Sequence, residues 1–355
     1  MNGYDFDNAE KNVKEALNAN IKLLAGLRNM MDLDDIKMAT TPKDVVYRED
    51  SVRIYHYKPD VPKPHAIPVL VAYALVNKQY MLDIQENRSI VKKWLDAGLD
   101  VYMIDWGYPN QVDKFLDMED YVDGYLNNAV DFVRERHKQK AINLIGICQG
   151  GTMSVIYSSL YPEKVKNLVT LVTPFDFSTN DGLLFRWGKL MDIDAMVDAD
   201  DGLLSGDSMN VGYNMLKPFE LSFDKYINFI DKLDDKDAVM DFMRMETWIY
   251  DSPSQAGRML KRFVKDLYIN NKLAKNELVV GGRKVLPKNI TMPVLCMLAL
   301  KDHLVPPAAT RPLMDAIASK DKELLEYPVG HIGMFVSSRA HNEIGPKIAA
   351  WLKER

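Results

Sequence analysis

The sequence predicts an α/β fold with a mostly parallel central sheet flanked by helices. Short apolar runs alternate strictly with helical stretches, the pattern of parallel strands joined by crossover helices. The runs are continuous in apolarity rather than alternating, as strands covered on both faces require. One run also passes through a glycine-bracketed turn directly into a helix, at Gly146-Ile147-Cys148-Gln149-Gly150-Gly151.

Each element has its own signal. Residues 8–32 predict a helix, with Val13, Leu17, Leu24, Leu27 and Met31 near one face. Thr41-Pro42 breaks it off, and Val45-Val46 and Val52-Arg53-Ile54-Tyr55-His56-Tyr57 read as paired edge strands. Ile67 to Leu75 is nearly all apolar and predicts a covered strand. A helix around Ile90 to Ala97 precedes the run Val101-Tyr102-Met103-Ile104, which ends at Asp105-Trp106-Gly107. Helix 120–136, the strand Ala141 to Ile145, the glycine turn with its helix, and the strand Asn167 to Val172 complete the alternation.

After Thr173-Pro174 the rhythm changes. Residues 175–285 are aromatic-rich and mostly helical in pattern, with Phe219, Tyr226, Phe229, Phe242, Trp248, Tyr250, Phe263 and Tyr268 spread through them. The strand pattern returns at Met292 to Leu300 and at Glu323 to Tyr327. The expected organisation is an N-terminal helical segment (1–40), a core from 41–174 and 286–355, and a helical cap (175–285) inserted between two late strands. Such a cap would stand over the strand ends, where open α/β sheets place their ligands.

Composition excludes several classes. The net charge of −5 is mixed along 355 residues without a long basic tract, so binding driven by neutralising nucleic-acid phosphates is not expected. The N-terminal stretch Met1 to Asp7 lacks the basic and apolar parts of a signal peptide, and no apolar run approaches the roughly 20 residues that span a bilayer. A cytoplasmic protein with no transmembrane segment is expected. Two cysteines, Cys148 and Cys296, make no disulfide framework and suit a reducing compartment. Cys296, inside Val294 to Leu300, is expected to be a small buried filler.

Cys148 is different. A small-x-nucleophile-x-small turn between strand and helix is a nucleophile elbow, usually carrying serine. The turn is tight, so Cβ atoms at Gly146 and Gly150 would strike neighbouring backbone. The side chain between them is lifted above the sheet, at a helix N-terminus that favours a thiolate. A thiol needs a base nearby, and the chain offers six histidines. His56, His65, His137 and His341 are expected at the surface. His331 lies in the glycine-flanked loop Tyr327-Pro328-Val329-Gly330-His331-Ile332-Gly333, directly after the last strand. Asp302 follows the preceding strand, in a loop stiffened by Pro306 and Pro307. Nucleophile 148, acid 302 and base 331 run in the chain order of the α/β-hydrolase triad. His303 is the rival base, but it adjoins Asp302 in sequence and both cannot easily converge on one thiolate; a pocket-lining role suits it better. Tyr73 and Trp106 are further candidate pocket residues. The oxyanion donors are expected to be the backbone N–H groups of Gln149 and Val76.

At this point the sequence resembles a known family. Pro68 to Tyr80, Ile104 to Gly107, Gly146 to Gly151, Lys166 to Phe177, Asp302 to Pro307 and Gly330 to Gly333 look, together and in order, like poly(3-hydroxyalkanoate) synthases. The resemblance runs from about residue 40 to the end. It implies an α/β-hydrolase-fold acyltransferase that polymerises 3-hydroxyacyl-CoA, short-chain units such as 3-hydroxybutyryl-CoA included, into a storage polyester with release of CoA. Cys148, Asp302 and His331 match the family's triad positions. Only about forty residues precede the core, which resembles the short catalytic subunit of the two-subunit synthases. Gln149, where Bacillus-type enzymes tend to have Met, looks more like class III, whose companion is a separate helical subunit (PhaE type). A homodimer or hetero-oligomer at the surface of polyester granules is implied, with no cofactor and no metal.

Cysteine suits such chemistry. Attack by a thiolate exchanges one thioester for another at little free-energy change, and the acyl group stays activated for a hydroxyl. His331 would deprotonate Cys148 and then the hydroxyl, with Asp302 orienting it; whether Asp302 itself assists the hydroxyl stays open. Two rivals remain: a cysteine-dependent α/β-hydrolase acting on thioesters or lactones, and a granule-bound scaffold with an inactive core.

Overall fold

The structure is a computed structural model and describes residues 36–217 and 225–355. The helix expected over 8–32 and the aromatic Phe219 lie outside the described residues.

Eight strands form one sheet: β1 (Asp44–Glu49), β2 (Val52–Tyr57), β3 (Val69–Ala72), β4 (Val101–Asp105), β5 (Ile142–Ile147), β6 (Val165–Leu171), β7 (Val294–Ala299) and β8 (Lys322–Tyr327). Their spatial order is β1-β2-β4-β3-β5-β6-β7-β8. The β1–β2 and β2–β4 pairings are antiparallel, and all from β4 onward are parallel. Every residue of β3, β4, β5 and β7 is buried, which is why these segments read as unbroken apolar runs. The outermost strands carry charge instead (Asp-Val-Val-Tyr-Arg-Glu in β1, Lys-Glu-Leu-Leu-Glu-Tyr in β8), which discourages pairing with another chain's edge.

Helices α1 (Ile90–Asp96), α2 (Asn127–His137) and α3 (Gln149–Leu160) follow β3, β4 and β5. Ser89 caps α1, its hydroxyl accepting the Lys92 N–H at 2.9 Å. The helix expected over 120–136 begins with wider π turns, Asp120–Leu126, before α2. Between β6 and β7 come α4 (Leu183–Leu190), α5 (Ile193–Ala199), α6 (Gly206–Leu216), α7 (Lys225–Ile230), α8 (Lys236–Tyr250) and α9 (Gly257–Phe263). Two short antiparallel ladders, Leu203–Leu204 with Gln255–Ala256 and Val279–Val280 with Arg283–Lys284, interrupt this helical stretch. The C-terminal α10 (Gly345–Lys353) packs against α1.

The chain divides into two compact units. The larger comprises Ala39–Met209 and Asp251–Arg355 and contains the sheet; the smaller has 36–38, 210–217 and 225–250 as its described residues. In the larger unit Phe177 gathers Phe185, Phe263 and Tyr268 into an aromatic cluster. In the smaller unit Phe242 stacks on Phe229 and meets Tyr226 edge-on. Aromatic pairs of both kinds add packing energy beyond the area they bury.

Of the four histidines expected at the surface, His56 and His341 are buried and His65 and His137 are half-buried. His56 is buried, with Nε2 2.5 Å from Asp100 Oδ1 and its ring stacked on Tyr102. His137 is half-buried, and its Nε2 lies 2.8 Å from the Tyr102 hydroxyl. Burial holds His137 below the ordinary imidazole range, against the pull of Asp100. His341 is buried too, and neither ring nitrogen has a partner among the described residues. The strand taken as an edge explains His56 and His137: β2 lies inside β1, and its pairing with β4 brings His56 opposite Tyr102. His65 is half-buried, with Nδ1 3.2 Å from the Ile67 carbonyl oxygen. Cys296 is buried in β7 as expected, and burial pushes its thiol up to about 11.

Candidate active site

Parallel register brings four chain segments to one edge of the sheet. Ala72 pairs with Gly146, Ile147 with Leu171 and Ala299 with Tyr327, so the C-terminal ends of β3, β5, β6, β7 and β8 lie in a row. The segment 73–78 leaves β3, Cys148 leaves β5, Asp302 leaves β7 and His331 leaves β8.

The backbone at Cys148 is strained as an elbow demands, with φ +53° and ψ −122°. A non-glycine residue in such a region costs about 1–3 kcal/mol, which the surroundings must supply. Cys148 N–H donates to the Leu171 carbonyl at 2.9 Å, and Cys148 C=O accepts from Thr152 N–H at 3.1 Å. The two glycines leave no room for a side chain. A Cβ at Gly150 would stand 2.3 Å from the carbonyl oxygens of Ala72 and Tyr73, and one at Gly146 2.6 Å from Gly151 Cα. With α3 beginning at Gln149, the Cys148 side chain sits at a helix N-terminus.

Opposite it, His331 Nδ1 lies 2.7 Å from Asp302 Oδ2. The other oxygen, Asp302 Oδ1, accepts the N–H groups of Leu304 at 2.9 Å and Val305 at 2.8 Å, so the carboxylate has one orientation. Both side chains are buried. Cys148 stands close enough to His331 to raise the pKa of its ring. Burial alone would push the His331 pKa down, but the Asp302 carboxylate first and Cys148 second outweigh it and carry it up to about 10. Phe335 meets the His331 ring edge-on on one side and Tyr73 on the other.

The structure thus brings Cys148, Asp302 and His331 together. Asp302 bonds His331, and the half-buried His303 is not its partner in that bond. Tyr73 is buried beside Cys148: burial, and then Cys148, push its phenol well above the ordinary range. Trp106 is buried as well, and its Nε1–H donates to the Tyr73 carbonyl at 2.9 Å, so it holds the backbone that carries Tyr73.

The segment after β3 is gripped at several points. Leu75 N–H donates to Gln149 Oε1 at 3.1 Å, and Gln255 Nε2 donates to Leu75 C=O at 2.9 Å. Asn77, at φ +62°, donates through Nδ2 to Ser252 Oγ at 2.5 Å. Lys78 Nζ lies 2.5 Å from Asp105 Oδ1, a buried pair in which Asp105 also accepts from Gly107 N–H at 3.0 Å. This gives Asp105-Trp106-Gly107 a physical reason: it anchors the β3 loop from the end of β4. Gln255, Lys78 and Ser252 were not legible as site residues. A lone glutamine in a two-residue strand over a hundred positions from the elbow carries no pattern of its own.

A sheet of this order, with an elbow after β5 and an acid and imidazole after β7 and β8, defines an α/β-hydrolase fold. The family model for the alpha/beta hydrolase fold matches residues 67–338. The monoacylglycerol lipase of Paleococcus ferrophilus shares that fold at TM-score 0.56 and 18% identity, covering 85% of this chain and 98% of its own. A second model, for the N-terminus of poly-beta-hydroxybutyrate polymerase (PhaC), matches residues 12–95. The poly(3-hydroxyalkanoate) polymerase subunit PhaC of Allochromatium vinosum is 47% identical over 348 residues, 98% of each chain. Its namesake from a Synechocystis species is 48% identical over 355 aligned positions, covering 98% of this chain and 94% of that one. The chain belongs to the poly(3-hydroxyalkanoate) polymerase family.

Proposed function

We propose that this chain polymerises 3-hydroxyacyl-CoA into polyhydroxyalkanoate through an acyl group carried on Cys148. The observation that carries the reading is the His331–Asp302 bond at 2.7 Å with Cys148 close enough to raise the pKa of the same imidazole, in a chain of this family. A protonated His331 beside Cys148 stabilises the thiolate. The sulfur attacks the thioester carbonyl, and the electron pair displaced onto oxygen is met by the N–H groups of Val76 and Gln149. The pair returns as the bond to CoA breaks, and His331 supplies the proton that CoA thiolate takes. Acylated sulfur no longer carries charge, so one of the two influences that raise the His331 pKa is gone. The ring is then more readily neutral, and as free base it takes the proton of the next hydroxyacyl unit's hydroxyl, whose oxygen attacks the thioester; the ester forms as the carbon–sulfur bond breaks and Cys148 returns as thiolate.

Residues 175–285 act in this reading as a cap that keeps water from the acyl-enzyme. Its support is contact at the β3 loop: Ser252 bonds Asn77, Gln255 bonds Leu75, and Asp251 accepts from Tyr80 and Tyr108. A second, helical subunit of the PhaE type completes the enzyme; relatives that align over 94–98% of their own length are themselves named as subunits. The protein works in the cytoplasm at the surface of its polyester product. Among the described residues no helix is long and apolar enough to cross a membrane, so any hold on the granule comes from elsewhere.

Incubating the purified chain with 3-hydroxybutyryl-CoA, alone and with the helical subunit, tests the proposal by thiol release and turbidity. Polymer with free CoA is expected, and free hydroxy acid as the sole product would replace the polymerase reading with a hydrolase. Cys148→Ala should abolish turnover. Cys148→Ser should lose most of it, since a hydroxyl is the weaker nucleophile at neutral pH.

A further inference from the structure

The β3 loop owes the direction of one N–H group to a residue far away in sequence. Gln255 Nε2 donates to the Leu75 carbonyl at 2.9 Å. That carbonyl and the Val76 N–H belong to the same peptide group, which is trans, and in a trans peptide the two bonds point in opposite directions. Holding the oxygen on the Gln255 side therefore aims the Val76 N–H the other way. The preceding peptide is held as well, because Leu75 N–H donates to Gln149 Oε1 at 3.1 Å and Gln149 is the residue after Cys148. Val76 N–H itself donates to no protein acceptor among the described residues.

Gln255 is buried, and its own backbone does not depend on its side chain. It is fixed by the ladder pairing with Leu204 and by the Gly257 N–H to Gly202 carbonyl bond at 3.0 Å. A bond accepted at a peptide oxygen also polarises the N–H across the same group and makes it the stronger donor. A glutamine does this without placing a charge beside a developing oxyanion.

We infer that Gln255 is a positioning residue for acyl transfer: it orients the Leu75–Val76 peptide so that Val76 N–H meets the oxyanion formed when Cys148 attacks the thioester. The inference rests on the roles given above to Cys148 and Val76. In the step concerned, a sulfur–carbon bond forms and the carbonyl π pair moves to oxygen. The pair then returns as the carbon–sulfur bond to CoA breaks. Gln255 exchanges no proton in any of this.

The test compares two reactions of the same sulfur. Acylation by 3-hydroxybutyryl-CoA, read as single-turnover CoA release, passes through an oxyanion; alkylation by iodoacetamide needs the thiolate but forms none. Gln255→Met removes the donor at nearly constant length. Complete loss of an oxyanion donor costs about 100- to 1000-fold, so misaiming one should slow acylation about 10- to 100-fold and leave KM and alkylation within about twofold. Gln255→Glu keeps the shape: its carboxylate cannot donate, its protonated form can, and the ratio of acylation to alkylation should rise as pH falls. Acylation by Gln255→Met within about threefold of wild type would overturn the inference, since a lost donor is worth far more. So would a parallel fall of both reactions, which marks general damage, or a pH-independent ratio in Gln255→Glu. If alkylating Cys148 in the wild-type chain left turnover intact, the polymerase mechanism itself would fall, and the role of Gln255 with it.

Discussion

Asp302→Asn is the substitution that most directly probes the charge balance at the site. Asparagine keeps the shape, and its amide oxygen still accepts from the N–H groups of Leu304 and Val305, so the loop after β7 should stand. The charge facing His331 Nδ1 at 2.7 Å is lost. An imidazole carried from 6.5 to about 10 prefers its protonated form by about 5 kcal/mol. Asp302 is the foremost of the two groups that raise it, and an opposite charge at this range favours the charged form by about 1.4–4 kcal/mol. Burial remains and drives the ring further toward neutral. The equilibrium between the imidazolium–thiolate pair and the neutral imidazole–thiol pair should therefore shift roughly 100-fold toward the neutral pair. An amide NH₂ pointed at Nδ1 also selects the wrong tautomer, which in serine enzymes of this kind lowers kcat by about 10⁴. The assay is twofold: CoA release from 3-hydroxybutyryl-CoA, and the pH profile of Cys148 alkylation by iodoacetamide. Turnover should fall at least about 100-fold, and the alkylation profile should move to higher pH as the thiolate loses its partner. A variant within about threefold of wild type in turnover, with an unshifted profile, would refute the charge-balance reasoning.

Two further outcomes follow from the geometry. Gly150→Ala should destabilise the fold by about 3 kcal/mol or more in urea unfolding, because the new methyl meets two backbone oxygens at 2.3 Å and neither can retreat without disturbing β3; a loss below about 1 kcal/mol would mean that the elbow is looser than its contacts imply. The folded His331 pKa, about 10, stands above the unfolded value of 6.5, so its stabilisation is complete below pH 6.5 and is lost as pH rises to about 10. The wild-type urea midpoint should accordingly decline across that window, and His331→Gln should flatten the decline; equal slopes in the two proteins would count against a protonated His331.

How much was legible follows residue by residue. Cys148 was visible because sterics write themselves into sequence: a strained nucleophile needs small neighbours, and Gly146 and Gly150 are where the backbone closes to 2.6 and 2.3 Å. Asp302 and His331 were visible because strands buried on both faces are continuous apolar runs, and the first polar residues beyond them stand at the sheet's functional edge. His56, His137 and His341 were misjudged for the converse reason. Their positions depend on the β2–β4 register and on the packing of the C-terminal helical segment against α1, and neither leaves a local trace.

The sequence by itself determined the elbow, the order of the candidate nucleophile, acid and base, and the α/β alternation, since each depends on spacing along one stretch of chain. Tertiary structure alone decided that Trp106 holds the Tyr73 carbonyl, and that Gln149 and Gln255 grip the same leucine from opposite ends of its backbone. Those are contacts between side chains and peptide groups brought close by folding, and hydrogen bonds between residues far apart in the chain impose no periodicity from which they could be read.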